Sequence, residues 1–396
     1  MSQTTSDWDP LSPENVSNPR DEAKRMRSGC PVAFTEQFGG TWALFKHRDI
    51  ERAAREPETF SSAPQFVIPD MTGGVFPWLP VQSDPPMHDA YRGLIAPFFR
   101  GARLAAFEPL LQRITNERID EFISDGTVDV ASQLNIPVSA SGLALLMGLP
   151  ESDWEMFKRW HYGMVEANAG QDQEALGRTF MEMLSFVHEW MTKRQADPTD
   201  DLMSALVTGE VDGRPLTNEE ILGTFILLSV GGFETTADTL SSTMQYLSTR
   251  PDVCDQLREN PQLLTKAVGE FCRVFAPVQA TARVATRDVE IGGKTIKEGD
   301  RICMMWASGS RDEEVFPDAD ECQIDRPTHK LTSFGLGAHR CLGEPLARIE
   351  IRAVLSTWLQ RIETFDVAGE PEPGLWPTVG WHTMPMKFTP MVTQAS

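Results

Sequence analysis

The chain has 396 residues, 41% of them hydrophobic, which suffices for a large core, and length alone suggests two or three domains. With 36 Lys and Arg against 57 Asp and Glu the net charge is −21, which opposes long-range attraction to nucleic acid or anionic lipid, so neither is expected as a partner. No run of eighteen apolar residues occurs, and the first ten residues are polar and acidic, unlike a signal peptide, so a soluble cytoplasmic protein is expected.

Cysteines stand at positions 30, 254, 272, 303, 322 and 341 and form no C-x-x-C pair, which speaks for reduced thiols rather than a zinc site or a disulfide framework. Residues 1–20 read as a loose polar lead-in, with one folded domain expected over 21–396. Phe38-Gly39-Gly40 reads as a turn before a strand reaching Phe45, and Arg48 to Glu56 as a short helix. Residues 63–86 hold six prolines and two glycines among Phe66, Phe76, Trp78 and Leu79, which predicts an irregular loop with buried aromatics. A helix follows Asp84-Pro85-Pro86 and carries His88 and Arg92 on one face. Helical periodicity continues over roughly 104–124, 133–149, 151–169, 173–195 and 199–208. Thr217-Asn218-Glu219-Glu220 is a capping box, and no proline follows until Pro251, which permits one helix of about nine turns. A further helix is predicted from about 261 to 275, and short strands separated by glycine turns over 281–304. The fold class expected is mainly α with small β-sheets.

The middle of the long helix reads Val230-Gly231-Gly232-Phe233-Glu234-Thr235-Thr236. Glycine inside a helix costs ~1 kcal/mol relative to alanine. Close helix packing accounts for the glycines but not for an acid beside a threonine in an apolar stretch, so Glu234 and Thr235 are candidates for proton transfer. Glu270-Phe271-Cys272-Arg273 pairs an acid and a base at i, i+3. On a surface such a pair is worth little, but the aromatic neighbours make a buried setting plausible.

Cys341 lies in Phe334-Gly335-Leu336-Gly337-Ala338-His339-Arg340-Cys341-Leu342-Gly343, with three glycines and a basic residue within ten positions. A lone cysteine is more often a small core residue. Here the glycines before it allow backbone N–H groups to point at the sulfur. The helical continuation from Glu344 adds a helix N-terminus, and both favour a thiolate, the ligand that pushes electron density onto haem iron.

Phe, Gly, Gly, His, Cys and Gly at these offsets resemble the cysteine loop of the cytochrome P450 family, the haem-thiolate monooxygenases. The resemblance extends over about residues 38–390 and is strongest to the soluble bacterial branch that includes the camphor hydroxylase. It implies a single triangular-prism fold holding haem b between the long central helix and the cysteine loop, with Cys341 as the axial metal ligand. It also implies Thr235 and Glu234 as the catalytic alcohol and acid, and His88, Arg92, Arg283, His339, Gly335 and Gly343 as cofactor-binding residues. Glu270, Arg273 and Arg326 match a structural ion network that positions the segment leading to the cysteine. By analogy the substrate pocket takes Phe76, Trp78, Leu227, Val230, Gly231, Gln279, Thr281 and Thr378. Phe76 stands where the camphor enzyme has a tyrosine, and Gln279 where it is apolar. The activity implied is hydroxylation of a C–H bond in a small hydrophobic substrate, expected to be a monoterpenoid or norisoprenoid, using dioxygen. Electrons are expected from a [2Fe–2S] ferredoxin and its NAD(P)H-dependent reductase, docking on a basic patch of Arg92, Lys330 and Arg340, with the enzyme a monomer. The alternatives are a peroxide-driven peroxygenase and a non-enzymatic haem sensor or carrier.

Overall fold

Periodic apolar residues fold into helices around several small sheets in the computed structural model, which describes residues 7–70, 76–170, 172–374 and 376–392. Residues 1–6 of the expected lead-in and 71–75 of the proline-rich loop lie outside the described residues. The helices that matter for the site are α1 (Pro19–Gly29), α2 (His47–Arg55), α3 (Met87–Ile95), α4 (Phe107–Phe122), α5 (Ile136–Met147), α6 (Trp154–Ala169), α7 (Gln173–Ala196), α8 (Asn218–Gly231), α9 (Glu234–Ser248), α10 (Leu263–Val274) and α11 (Glu344–Arg361). The strands that bear on the site are β1 (Val32–Thr35), β2 (Thr41–Leu44), β3 (Phe60–Ser61), β4 (Thr127–Asp129), β5 (Ala280–Ala285), β6 (Arg301–Met305), β7 (Ile362–Val367), β8 (Trp381–Thr383) and β9 (Pro385–Pro390). One sheet runs β1-β2-β6-β5-β3 and another β7-β9-β4.

Two expectations change. Residues 7–20 are packed rather than loose: Trp8 is 3% exposed, with its ring against Phe45 at 5.4 Å and Trp376 at 6.1 Å. Burying the Trp8 indole removes a large apolar ring from water, which favours order at this point of the segment. Ser12 and Asn18 cap the helix Pro13–Ser17 and α1, each of which starts with a proline.

The predicted long helix begins as the capping box requires, with Thr217 and Glu220 bonded reciprocally. It does not run unbroken. Gly232 keeps near-helical angles, Phe233 leaves them at φ −128°, and the helix restarts at Glu234. The two adjacent glycines are the physical cause, because they weaken the helix where a break is useful. A β-carbon at Gly232 would lie 2.5 Å from the Leu228 carbonyl oxygen and 2.9 Å from the Leu143 side chain, so α5 closes tightly on this point.

Candidate active site

Gly335 and Gly337 both have φ of +70°, the left-handed region that favours glycine. A β-carbon at Gly337 would overlap the Ala54 carbonyl of α2, so only glycine lets the loop approach that helix. The loop ends with the Cys341 N–H donating to the Phe334 carbonyl at 2.7 Å. The N–H groups of Gly343 and Glu344 point back at the sulfur. The donors therefore follow the cysteine, at the start of α11, where helical N–H groups have no partner within the helix; the expectation that they precede it is corrected. Burial raises the Cys341 thiol above its ordinary range, while those two N–H groups and the Arg92 charge oppose that rise. Protein surrounds the side chain except where it lines a cavity, which gives this deeply set cysteine its exposure.

That cavity, about 300 Å³, separates Cys341 from the α8–α9 junction. Leu227, Leu228, Gly231, Gly232, Thr235 and Thr236 form one wall, and Phe334, Gly335, Cys341, Leu342 and Gly343 the other. The Thr235 hydroxyl lies 3.4 Å from the Gly231 carbonyl one turn back, a long contact that leaves it available beside the break.

At one end His88, Arg92, Arg283 and His339 converge on the cavity. The imidazoles of His88 and His339 lie 4.2 Å apart. His88 Nδ1 meets Asp89 Oδ1 at 2.8 Å, and its buried Nε2 has no partner among the described residues. His339 Nε2 is 3.1 Å from Ser62 Oγ, and Arg92 donates to the Arg340 carbonyl at 2.6 Å. Burial, with the charges of Arg283, His88 and Arg92, pushes His339 down to about 2. Burial lowers Arg283 to about 10, opposed by Asp84. Buried cations gathered this closely call for anions, and the two propionates of a haem supply them. An apolar slot with a cationic end and a thiol on one wall fits haem b.

Helical and strand periodicity decides which expected pocket residues reach the cavity. Leu227, Leu228, Gly231 and Thr235 share a helical face, and on β5 Thr281 and Arg283 share the inward side. Five expected residues do not line it. Val230 sits on the helix flank. Trp78 is 3% exposed and packs on Phe66, with Phe76 partly buried against the same core. Before β5 a bridge between Val278 and Thr378 breaks the alternation, so Pro277 and Val278 reach the cavity in place of Gln279 and Thr378. Gln279 is buried, and its N–H is spent on the Pro377 carbonyl. Glu234 also stays outside the lining. Its Oε2 lies 2.6 Å from Nε2 of His161 on α6.

Glu270 and Arg273 are fully enclosed, and Arg326 reaches them from the edge. Arg273 grips Glu270 through Nε at 2.7 Å and Nη2 at 2.8 Å, and Arg326 Nε reaches Glu270 Oε1 at 3.1 Å. Arg273 also donates to the carbonyls of Ser310, Ala319 and Glu321, and Arg326 to those of Pro317 and Asp318. These bonds pin the segment that leads to the cysteine loop, and the buried Arg273–Glu270 pair is compensated, with all five Arg273 donors used.

Sequence reasoning missed His161, Asp238 and Glu350. Asp238 accepts the Trp381 N–H at 3.2 Å, and burial followed by the Glu234 charge raises it well above the carboxylate range. Glu350 on α11 is 0% exposed beside Thr236, and burial raises it likewise. Their acid residue type was the available signal, but nothing local in the sequence marks them as buried.

The family model described as Cytochrome P450 matches residues 152–389. Linalool 8-monooxygenase of Pseudomonas putida is 33% identical over 369 residues, covering 89% of this chain and 91% of the relative. Steroid C26-monooxygenase of Mycolicibacterium smegmatis is 32% identical over 378 residues, covering 94% and 93%. Among solved structures, a Bacillus megaterium P450 in complex with corticosterone is 28% identical with a TM-score of 0.83, covering 94% of this chain and 99% of that one. With its cysteine loop, broken central helix and cationic slot in this arrangement, the chain belongs to the cytochrome P450 family of haem-thiolate monooxygenases.

Proposed function

We propose that this monooxygenase hydroxylates a C–H bond of a compact hydrophobic substrate, a monoterpenoid or norisoprenoid, with electrons from a [2Fe–2S] ferredoxin. The observation that carries the reading is that Cys341 and Thr235 line one cavity from opposite walls, with the charged side chains of its lining confined to one end. When bound, the haem supplies an iron that takes up dioxygen and, with two electrons, allows its O–O bond to be cleaved. The protein's own part is to hold the sulfur, anchor the propionates through His88, Arg92, Arg283 and His339, and keep water from the apolar wall. Thr235 presents a hydroxyl where the helix opens, and Glu234 is the acid that replenishes it with protons.

Leu227, Leu228 and Val278 offer a substrate apolar contact without a charge to satisfy. The same cavity has to take the haem as well as the substrate, which favours a compact guest. Similarity to linalool 8-monooxygenase supports that class. In the haem-loaded protein, Thr235→Ala is expected to keep substrate binding while diverting most electrons to peroxide. Unchanged coupling of electrons to product would remove Thr235 from the reaction.

For the ferredoxin, the docking cations are the exposed Lys330, the part-exposed Arg340 and Arg92. Lys330→Glu is expected to slow reduction by an acidic ferredoxin several-fold at low salt, and less at high salt. Reduction that ignores both the substitution and the salt would argue against this docking face.

A further inference from the structure

The acid assigned above to proton delivery does not face the cavity. Thr235, its neighbour in the chain, lines it, but Glu234 turns toward α6, where its Oε2 lies 2.6 Å from His161 Nε2. Both side chains are largely enclosed, at 6% exposure for His161 and 13% for Glu234. Oε2 is close to Nε2 yet off the line of its N–H, so neither ring nitrogen has an aligned hydrogen bond. The contact is one of charge and proximity, which can let go more easily than an aligned bond.

The surroundings show why a partner is needed there. Asp238 follows Glu234 by one turn of α9 and is fully enclosed, so two acids would otherwise share one dry space. Tyr162, next to His161 on α6, is raised by burial and by Glu234, Asp238 and Asp129. From β8, His382 stacks on Tyr162 at 5.3 Å and is partly exposed. Phe233 closes the remaining side of His161 at 5.6 Å. Three carboxylates, a phenol and two imidazoles thus extend from the cavity's edge to the surface, and His161 is the imidazole that touches Glu234.

Resting on the reading of Glu234 as the delivering acid, we propose that His161 is its positioning and proton-loading partner, holding the carboxylate out of the cavity and returning a proton to it after each delivery. Hydroxylation with dioxygen consumes two electrons, supplied by ferredoxin, and two protons, and forms one water. A proton passes from His161 Nε2 to Glu234 Oε2, and Glu234 carries it toward the Thr235 hydroxyl. His161 regains a proton from solvent on the Tyr162–His382 side. A lysine or arginine in this place would hold the carboxylate, but only an imidazole both holds it and gives up its proton near neutral pH.

The test compares haem-loaded wild type, His161→Gln, His161→Lys and Glu234→Gln. His161→Gln is expected to keep its melting temperature and substrate-induced spectral change. It should lose several-fold more electrons to peroxide and show a larger solvent deuterium isotope effect on product formation. Independently of turnover, the infrared carboxylate band that Glu234→Gln removes from the resting protein should be displaced in His161→Gln and restored in His161→Lys. The lysine variant, whose ammonium holds its protons far more tightly than an imidazolium does, should not restore coupling. A His161→Gln protein with wild-type coupling and carboxylate band overturns the proposal while the role of Glu234 stands. Wild-type coupling in Glu234→Gln overturns both.

Discussion

Complete burial holds a carboxylic acid in its neutral form, and Glu350 is in that position. It is 0% exposed, meets the Thr236 side chain, and neither oxygen makes an aligned hydrogen bond. Burial raises it well above the carboxylate range, so the folded protein holds this proton more tightly than the unfolded chain, whose glutamates release theirs near pH ~4.3. Its contribution to stability is complete below that pH and is lost as pH rises through the raised folded value. Asp238 acts in the same direction. Glu350→Gln is therefore expected to lose less melting temperature than wild type between about pH 5 and pH 8. Identical slopes would show that Glu350 is not a neutral acid. Such a residue could not be read from the sequence, because its setting depends on Gly142 and Thr236, from segments far away in the chain. A β-carbon at Gly142 would come within 2.6 Å of Glu350 Oε1. Cys341, Arg92, Arg283 and His339 were expected together from residue type within a spaced pattern, and the cavity gathers all four.

At the scale of elements, the two glycines of the central helix differ. A β-carbon at Gly231 would meet nothing within 4 Å, whereas one at Gly232 would meet the Leu228 carbonyl and Leu143. Gly231→Ala is expected to leave the melting temperature unchanged or slightly raised, since alanine favours helix by ~1 kcal/mol, while narrowing the cavity for substrate. Gly232→Ala is expected to lower stability by roughly 1–3 kcal/mol, as overpacking does. Melting curves of the two variants check this, and equal effects would contradict the close approach of α5. The capping box and the absence of proline made the helix legible, but its interruption was not, because tertiary packing selects where a weakened helix opens. Val230 was assigned to the cavity by analogy, and it does not line it; Glu234, expected as the catalytic acid, lies outside the lining as well. Gln279 failed for the corresponding reason in a strand, where the Val278–Thr378 bridge shifts the alternation.

At the scale of the whole molecule, the mainly helical class with small sheets was legible from periodicity, and the order of its motifs from the resemblance. The buried network of Glu270, Arg273 and Arg326 explains how distant segments hold one loop in place. The substrate was not legible to the same degree, because it depends on which apolar side chains turn inward. The central claim, a haem held at Cys341 beneath an apolar wall that accepts compact guests, is tested most directly by the ferric absorption spectrum. Titrating the haem-loaded protein with linalool-like monoterpenoids, norisoprenoids and a steroid reads displacement of water from the iron. The account predicts a shift toward high spin with the compact terpenoids and none with the steroid. A spectrum that the steroid moves and no compact terpenoid does would contradict it.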